Sequence, residues 1–145
     1  MIQATTSKTT PQQLADRYVG VWNEPSPDAR RRLIRELWAE DAEHLLQPPR
    51  EMREAAEQLG FESPRLEARG YSALELRVTR AYEDFVAPGQ FVFRARPNAE
   101  RLRDHVKFNW EMVSTADSSV AAVGLNVLVM NEEDRIRMDC TFIEP

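Results

Sequence analysis

The stretch VGLNVLVMNEEDRIRMDCTF, residues 123–142, decides the fold. It reads as two apolar strands folded over an acidic turn, and each strand carries one misfit, Asn126 in the first and Asp139 in the second. With Glu132-Glu133 as the tip, Asn131 faces Asp134, Met130 faces Arg135, Leu128 faces Arg137 and Asn126 faces Asp139. Facing residues of an antiparallel pair project from the same side of the sheet. The two misfits are therefore expected as cross-strand neighbours. Ala122, Gly124, Leu128, Thr141 and Ile143 share their side, several of them small enough to leave room for a cavity. The other side collects Val123, Leu125, Val127 and Val129 with Ile136, Met138, Cys140 and Phe142. Both faces are apolar, so both should be covered.

Upstream, the chain is helical first. Thr10, Pro11 and Gln13 make a capping box with proline at the first helical position, and Leu14, Tyr18, Val21 and Trp22 form one stripe. Ser26-Pro27 opens a second helix with Leu33, Ile34, Leu37 and Trp38 on its buried face. A short strand is expected at His44–Gln47, stopped by Pro48-Pro49. Met52, Ala55, Ala56 and Leu59 suggest a short helix closed by Gly60, with a loop through Pro64. Ser72 and Glu75 form a further capping box before Leu74, Val78, Tyr82 and Phe85, and Pro88-Gly89 ends that helix. Strands follow at residues 90–96, 104–114, 120–130 and 135–143. Helices first and an antiparallel meander afterwards predict an α+β domain.

Bulk properties narrow the function. A length of 145 residues suits one domain, expected over residues 11–145 behind a disordered polar arm at 1–10. A net charge of −5 argues against a nucleic-acid partner, and the cluster Arg30, Arg31, Arg32 and Arg35 reads as a solvated helix face. No run approaches the ~18 apolar residues of a membrane span, and the first residues hold no apolar signal core. One cysteine, Cys140, fits a cytoplasmic protein. Two separated histidines, His44 and His105, and five single glycines give no metal motif and no phosphate loop, so neither metal nor cofactor is expected.

The order of elements, with the segments LADRYVGVWN, LWAEDAEH, VKFNWEMV and VGLNVLVMNEEDRIRMD, resembles the SnoaL-like (polyketide cyclase-like) branch of the nuclear transport factor 2-like superfamily over roughly residues 11–143. The resemblance implies a cone in which N-terminal helices pack on a curved, mostly antiparallel sheet around a deep apolar pocket, commonly in a dimer. It implies no particular chemistry, because isomerases, cyclases, dehydratases, epoxide hydrolases and non-catalytic binders share the fold. A distant relative, ketosteroid isomerase, places Tyr18 and Asn126 at its two oxyanion donors. Its general base falls on Leu46 or Gln47, neither of which can take a proton from carbon.

Two readings follow. In the first, the pocket binds a small hydrophobic or aromatic molecule, with Trp22, Trp38, Phe108, Trp110 and Leu128 as lining residues. In the second, a cofactor-independent cyclase, isomerase or dehydratase uses Asp139 as acid/base, Tyr18 and Asn126 as oxyanion donors, and His44 as a further acid or base near the pocket mouth. Each residue also has a plainer assignment: Asn126–Asp139 as a buried pair that sets register, Trp22 and Trp38 as core, His44 as a surface or capping residue. Val106, Phe108, Trp110 and Met112 face inward if the TADSS loop counts as odd; an even count puts Asn109 beside Asn126. The sheet's second apolar face, with Val123, Val127, Ile136, Met138 and Phe142, is expected to pair with another copy.

Overall fold

In a computed structural model, residues 9–52, 54 and 66–144 are described. Most of the arm and the expected helix around Ala55, Ala56 and Leu59 lie outside them. Helix α1 (Pro11–Asn23) starts on the complete Thr10/Gln13 capping box. Helix α2 (Pro27–Leu37) starts with Ser26 Oγ accepting from Ala29 N at 3.2 Å. Strand β1 (Trp38–Gln47) leaves α2 without a linker, and β2 (Leu66–Arg69) pairs with it. Helix α3 (Gly70–Ala81) passes into a single π turn, Tyr82–Val86. Strands β3 (Phe91–Ala95), β4 (Glu100–Leu102), β5 (His105–Ser114), β6 (Val120–Met130) and β7 (Ile136–Ile143) complete the chain. The sheet runs β2-β1-β7-β6-β5-β3, with β4 also on β5. Every pair is antiparallel except β1 with β7. This is the α+β architecture of helices on a mostly antiparallel sheet.

The hairpin differs from its expected register. Asn131 N donates to Arg135 O at 2.7 Å, so the tip is Glu132, Glu133 and Asp134, with Asp134 in the left-handed region (φ 60°). That adds one residue. A bulge between Val129 and Met130 adds another. The first shift turns Ile136 onto the core side opposite Met130, where it is fully buried, correcting its expected place on the outer face. The second shift restores the original parity. Asp139 therefore still faces the Asn126 side, but lies opposite Leu128, while Asn126 lies opposite Thr141. A side-chain period of two makes parity, rather than register, decide the face.

A similar count settles β5. A four-residue turn, Thr115–Ser118, plus one bulged residue between the Val113–Val120 and Met112–Ala122 pairs supplies the odd total. Phe108 thus lies opposite Asn126, Trp110 opposite Gly124, and Val106 opposite Leu128. Asn109 is on the other face.

Three local expectations are corrected. Trp38 caps the end of α2 and opens β1 instead of continuing the helix, since β1 is extended by its parallel pairing with β7. Helix α3 begins at Gly70 (φ +84°) directly from β2, so Ser72 makes no cap, and Glu75 accepts instead from Arg31. The arginine cluster is also divided. Arg30 is buried, donating to Glu24 O at 2.8 Å and Thr79 Oγ1 at 3.1 Å with its guanidinium over Tyr82, so it ties the helices together.

Candidate functional site

Elements α1, β1, β6 and β7 converge on Asp139, which is completely buried. Tyr18 on α1 donates its hydroxyl to Asp139 Oδ2 at 2.7 Å. Asn126 on β6 donates through Nδ2 to Asp139 Oδ1 at 2.7 Å and to Tyr18 Oη at 2.8 Å. The Asn126 carbonyl accepts from Trp110 Nε1 at 2.7 Å. This last bond exists because Gly124 has no side chain: a Cβ there would overlap the Trp110 ring lying across it.

His44 joins the group through the parallel β1–β7 pairing, where it is the direct neighbour of Asp139. It is buried, correcting its assignment to the surface or to the pocket mouth. Arg77 Nη1 lies 3.0 Å from His44 Nδ1 and 3.2 Å from its carbonyl oxygen. A guanidinium can only donate, so Nδ1 accepts and the neutral ring carries its proton on Nε2. That nitrogen then donates to Thr141 Oγ1 at 3.0 Å. Its 3.8 Å separation from Asp139 Oδ2 is too long for a hydrogen bond.

Burial sets the proton positions. It pushes the Asp139 carboxyl up to about 7, against the opposing pull of hydrogen bonds from Tyr18 and Asn126. Burial, reinforced by the charge of Arg77, pushes the His44 imidazole down to about 3. The Tyr18 hydroxyl is held well above its ordinary range by burial and then by the Asp139 carboxylate. Two indole donors, Trp22 Nε1 and Trp38 Nε1, are buried without a hydrogen-bond partner among the described residues. Trp38 still favours the carboxylate form of Asp139 by proximity, without reaching bonding geometry.

Next to this cluster lies a cavity of about 340 Å³ with an almost wholly apolar surface. Tyr18, Trp22, Phe93, Trp110, Met112 and Ile143 form much of its wall, while Pro48, Pro49, Met52 and Phe85 also line it. Met52 and Phe85 are 59% and 40% exposed, which puts the opening at their end. Phe85 is brought there by the π turn.

No protein-family model matches the sequence, and no curated protein matches it. Solved structures do. A SnoaL-like family protein from Agrobacterium tumefaciens str. C58, provisionally named an isomerase, superposes with a TM-score of 0.73 at 21% identity, over 93% of this chain and 97% of that one. A SnoaL-like protein of unknown function from Burkholderia thailandensis E264 gives 0.60 at 17% identity, over 92% and 93%. A nuclear transport factor 2-like protein from Exiguobacterium sp. 255-15 gives 0.58 at 15%, over 90% and 97%. The chain has the SnoaL-like, nuclear transport factor 2-like fold. At these identities the likeness is one of architecture.

Within that fold, the sequence-derived residues divide into two groups. Tyr18, Asn126, Asp139 and His44 do come together, in one buried network. Tyr18, Trp22 and Trp110 line the cavity, whereas Trp38, Phe108 and Leu128 belong to the core cluster and are not among its lining residues. The expected pair of oxyanion donors is not presented. Both Asn126 amide hydrogens are given to Tyr18 and Asp139, and the Tyr18 hydroxyl is given to Asp139. Leu46 lines the cavity as an apolar group. Sequence reasoning missed Arg77 and the role of Thr141, both of which touch the cavity and His44. Arg77 lies on α3 at helical spacing from Leu74 and Ala81, the only hint available without the fold. Among the described residues no group of three His, Cys, Asp or Glu side chains is placed to hold a metal. No helix among them is long and apolar enough to cross a membrane.

Proposed function

We propose that this protein binds a small hydrophobic or aromatic molecule in the cone's cavity. The observation that carries the reading is the cavity itself: about 340 Å³ of space with almost no polar surface, beside a polar network whose hydrogen bonds are spent internally. Pockets of a few hundred Å³ walled by aromatic side chains are the ordinary form of a small-ligand site. A ligand bound only by the native state raises the unfolding temperature. A thermal-shift screen of ring hydrocarbons, terpenoids, phenols, steroids and fatty acids is expected to return stabilising compounds. A panel that leaves the transition unmoved throughout would refute the reading.

One observation favours a catalytic alternative, a cofactor-independent cyclase, isomerase or dehydratase. Asp139 has its carboxyl pushed up to about 7, which suits an acid/base group near neutral pH. Turnover would require Tyr18 or Asn126 to leave Asp139 for the substrate. The proposal also includes a homodimer through the outer sheet face. Val123, Val127 and Met138 are half-buried there and Phe142 is 42% exposed, leaving an apolar surface for a second copy to cover.

A further inference from the structure

The cavity's own chemistry narrows its ligand, given the binding reading above. Five side chains bring polar atoms to its wall: Tyr18, Trp22, Arg77, Trp110 and Thr141. Four give hydrogen bonds to the buried network or accept from it, while the fifth, Trp22 Nε1, is buried without a partner among the described residues and adds no polar surface to the cavity. Tyr18 donates to Asp139, Thr141 Oγ1 accepts from His44, and Arg77 Nη1 donates to both His44 Nδ1 and His44 O. Trp110 shows the cavity its ring while its Nε1 is bonded to Asn126. The wall thus includes residues able to hydrogen-bond, yet presents almost no polar surface.

Size gives the second constraint. A dry apolar cavity of roughly 150 Å³ holds a single benzene ring. At about 340 Å³ the present cavity has room for a larger skeleton, about two to three fused rings by that scale. The inner wall is aromatic on several sides, with Trp110 edge-on to Phe93 at 5.6 Å and Tyr18 tilted against Trp22 at 6.1 Å.

We infer that the ligand is a neutral ring hydrocarbon of two to three rings whose buried end carries no hydrogen-bonding group. A hydroxyl at that end would lose its water and meet a wall with almost no polar surface. A carboxylate would fare worse, because desolvating a full charge costs more than desolvating a hydroxyl, and Arg77 Nη1 is already given to His44. Polar substituents are tolerated only toward Met52 and Phe85, where the cavity opens.

The test is a binding series followed by fluorescence of Trp22 and Trp110: naphthalene, phenanthrene, naphthalene-1,5-diol and 2-naphthoate. The diol carries a hydroxyl on each ring, so one faces inward in either end-on orientation. Naphthalene and phenanthrene are expected to bind. The diol is expected to be about tenfold to a hundredfold weaker than naphthalene, and the naphthoate no tighter than the diol. Ala122→Phe and, separately, Ile143→Trp should abolish binding by filling the cavity. Diol or naphthoate binding as tight as naphthalene overturns the inference and leaves the pocket reading intact. Hydrocarbon binding that survives both filled-cavity variants in folded protein also overturns it, by placing the ligand elsewhere. If neither this series nor any compound of the thermal-shift panel binds, the pocket reading falls as well.

Discussion

Replacing His44 by Gln should make the protein lose stability as pH rises from about 4 to about 6.5, and replacing Asp139 by Asn should do the reverse. Burial shifts the two groups in opposite directions. The Asp139 carboxyl rises from 3.8 to about 7, so across that window the folded state keeps a proton the unfolded chain has released. Its contribution is fully present below the unfolded value and is lost as pH climbs through the folded one. His44 falls from 6.5 to about 3, so the unfolded chain holds the extra proton. Its contribution is fully present above the unfolded value and is lost as pH falls through the folded one. Each group alone contributes a slope of about 1.4 kcal/mol per pH unit. Together they cancel between roughly pH 4 and 6.5, because folding in effect moves one proton from imidazole to carboxyl. The shifts should survive single substitutions, since burial dominates both and neither residue is a principal cause of the other's displacement. Over about 2.5 pH units each variant should therefore diverge from the native profile by about 3 kcal/mol, in opposite directions. Urea unfolding across about pH 4 to 6.5 reads this directly, and subtracting the native profile removes the surface carboxylates. Two variant profiles running parallel to the native one would refute the assigned proton positions.

Tyr18→Phe should cost about 1–3 kcal/mol, because it leaves Asp139 and Asn126 each short of a buried partner; it should also raise the Asp139 pKa, measurable by carboxyl NMR, since the lost bond favours the charged form. Gly124→Ala should destabilise by about 1–3 kcal/mol in thermal unfolding, because its Cβ must push the Trp110 ring aside. The same change should break the Trp110–Asn126 bond and alter tryptophan fluorescence. Native protein should run as a dimer in light scattering at micromolar concentration, and Val127→Glu should yield monomer or aggregate by burying an unpaired charge. A native monomer would end the dimer proposal.

Much of this architecture was legible because the strongest signals are local. The Thr10/Gln13 and Ser26-Pro27 helix starts have side chains that satisfy specific backbone donors, and they form as read. Ser72 has the same chemistry and does not cap, because strand β2 delivers the chain to Gly70 already in position to turn. Pairing with a distant strand extended β1 back to Trp38, and no residue nearby records that partner. The hairpin shows why faces are easier to read than registers. Its two one-residue shifts moved Asp139 from opposite Asn126 to opposite Leu128, yet both side chains still project to one side. Only Ile136, lying between the shifts, changed face.

The site was legible in its membership and not in its direction. Asn126 and Asp139 stand out because a polar group inside an apolar strand costs free energy unless it finds a partner. The cost marks the residues but not the direction in which their hydrogens point. A donor facing the cavity and a donor facing a buried carboxylate leave the same trace in sequence. The choice between them was made by the diagonal placement of Asp139, which brings its two oxygens within 2.7 Å of the Tyr18 hydroxyl and the Asn126 amide. Those bonds consume the hydrogens that an oxyanion would need. Trp110 closes the remaining acceptor, and it can do so because position 124 is glycine. The fold thus keeps a buried polar cluster beside an apolar cavity, with the hydrogen bonds among Tyr18, Asn126 and Asp139 turned away from that space.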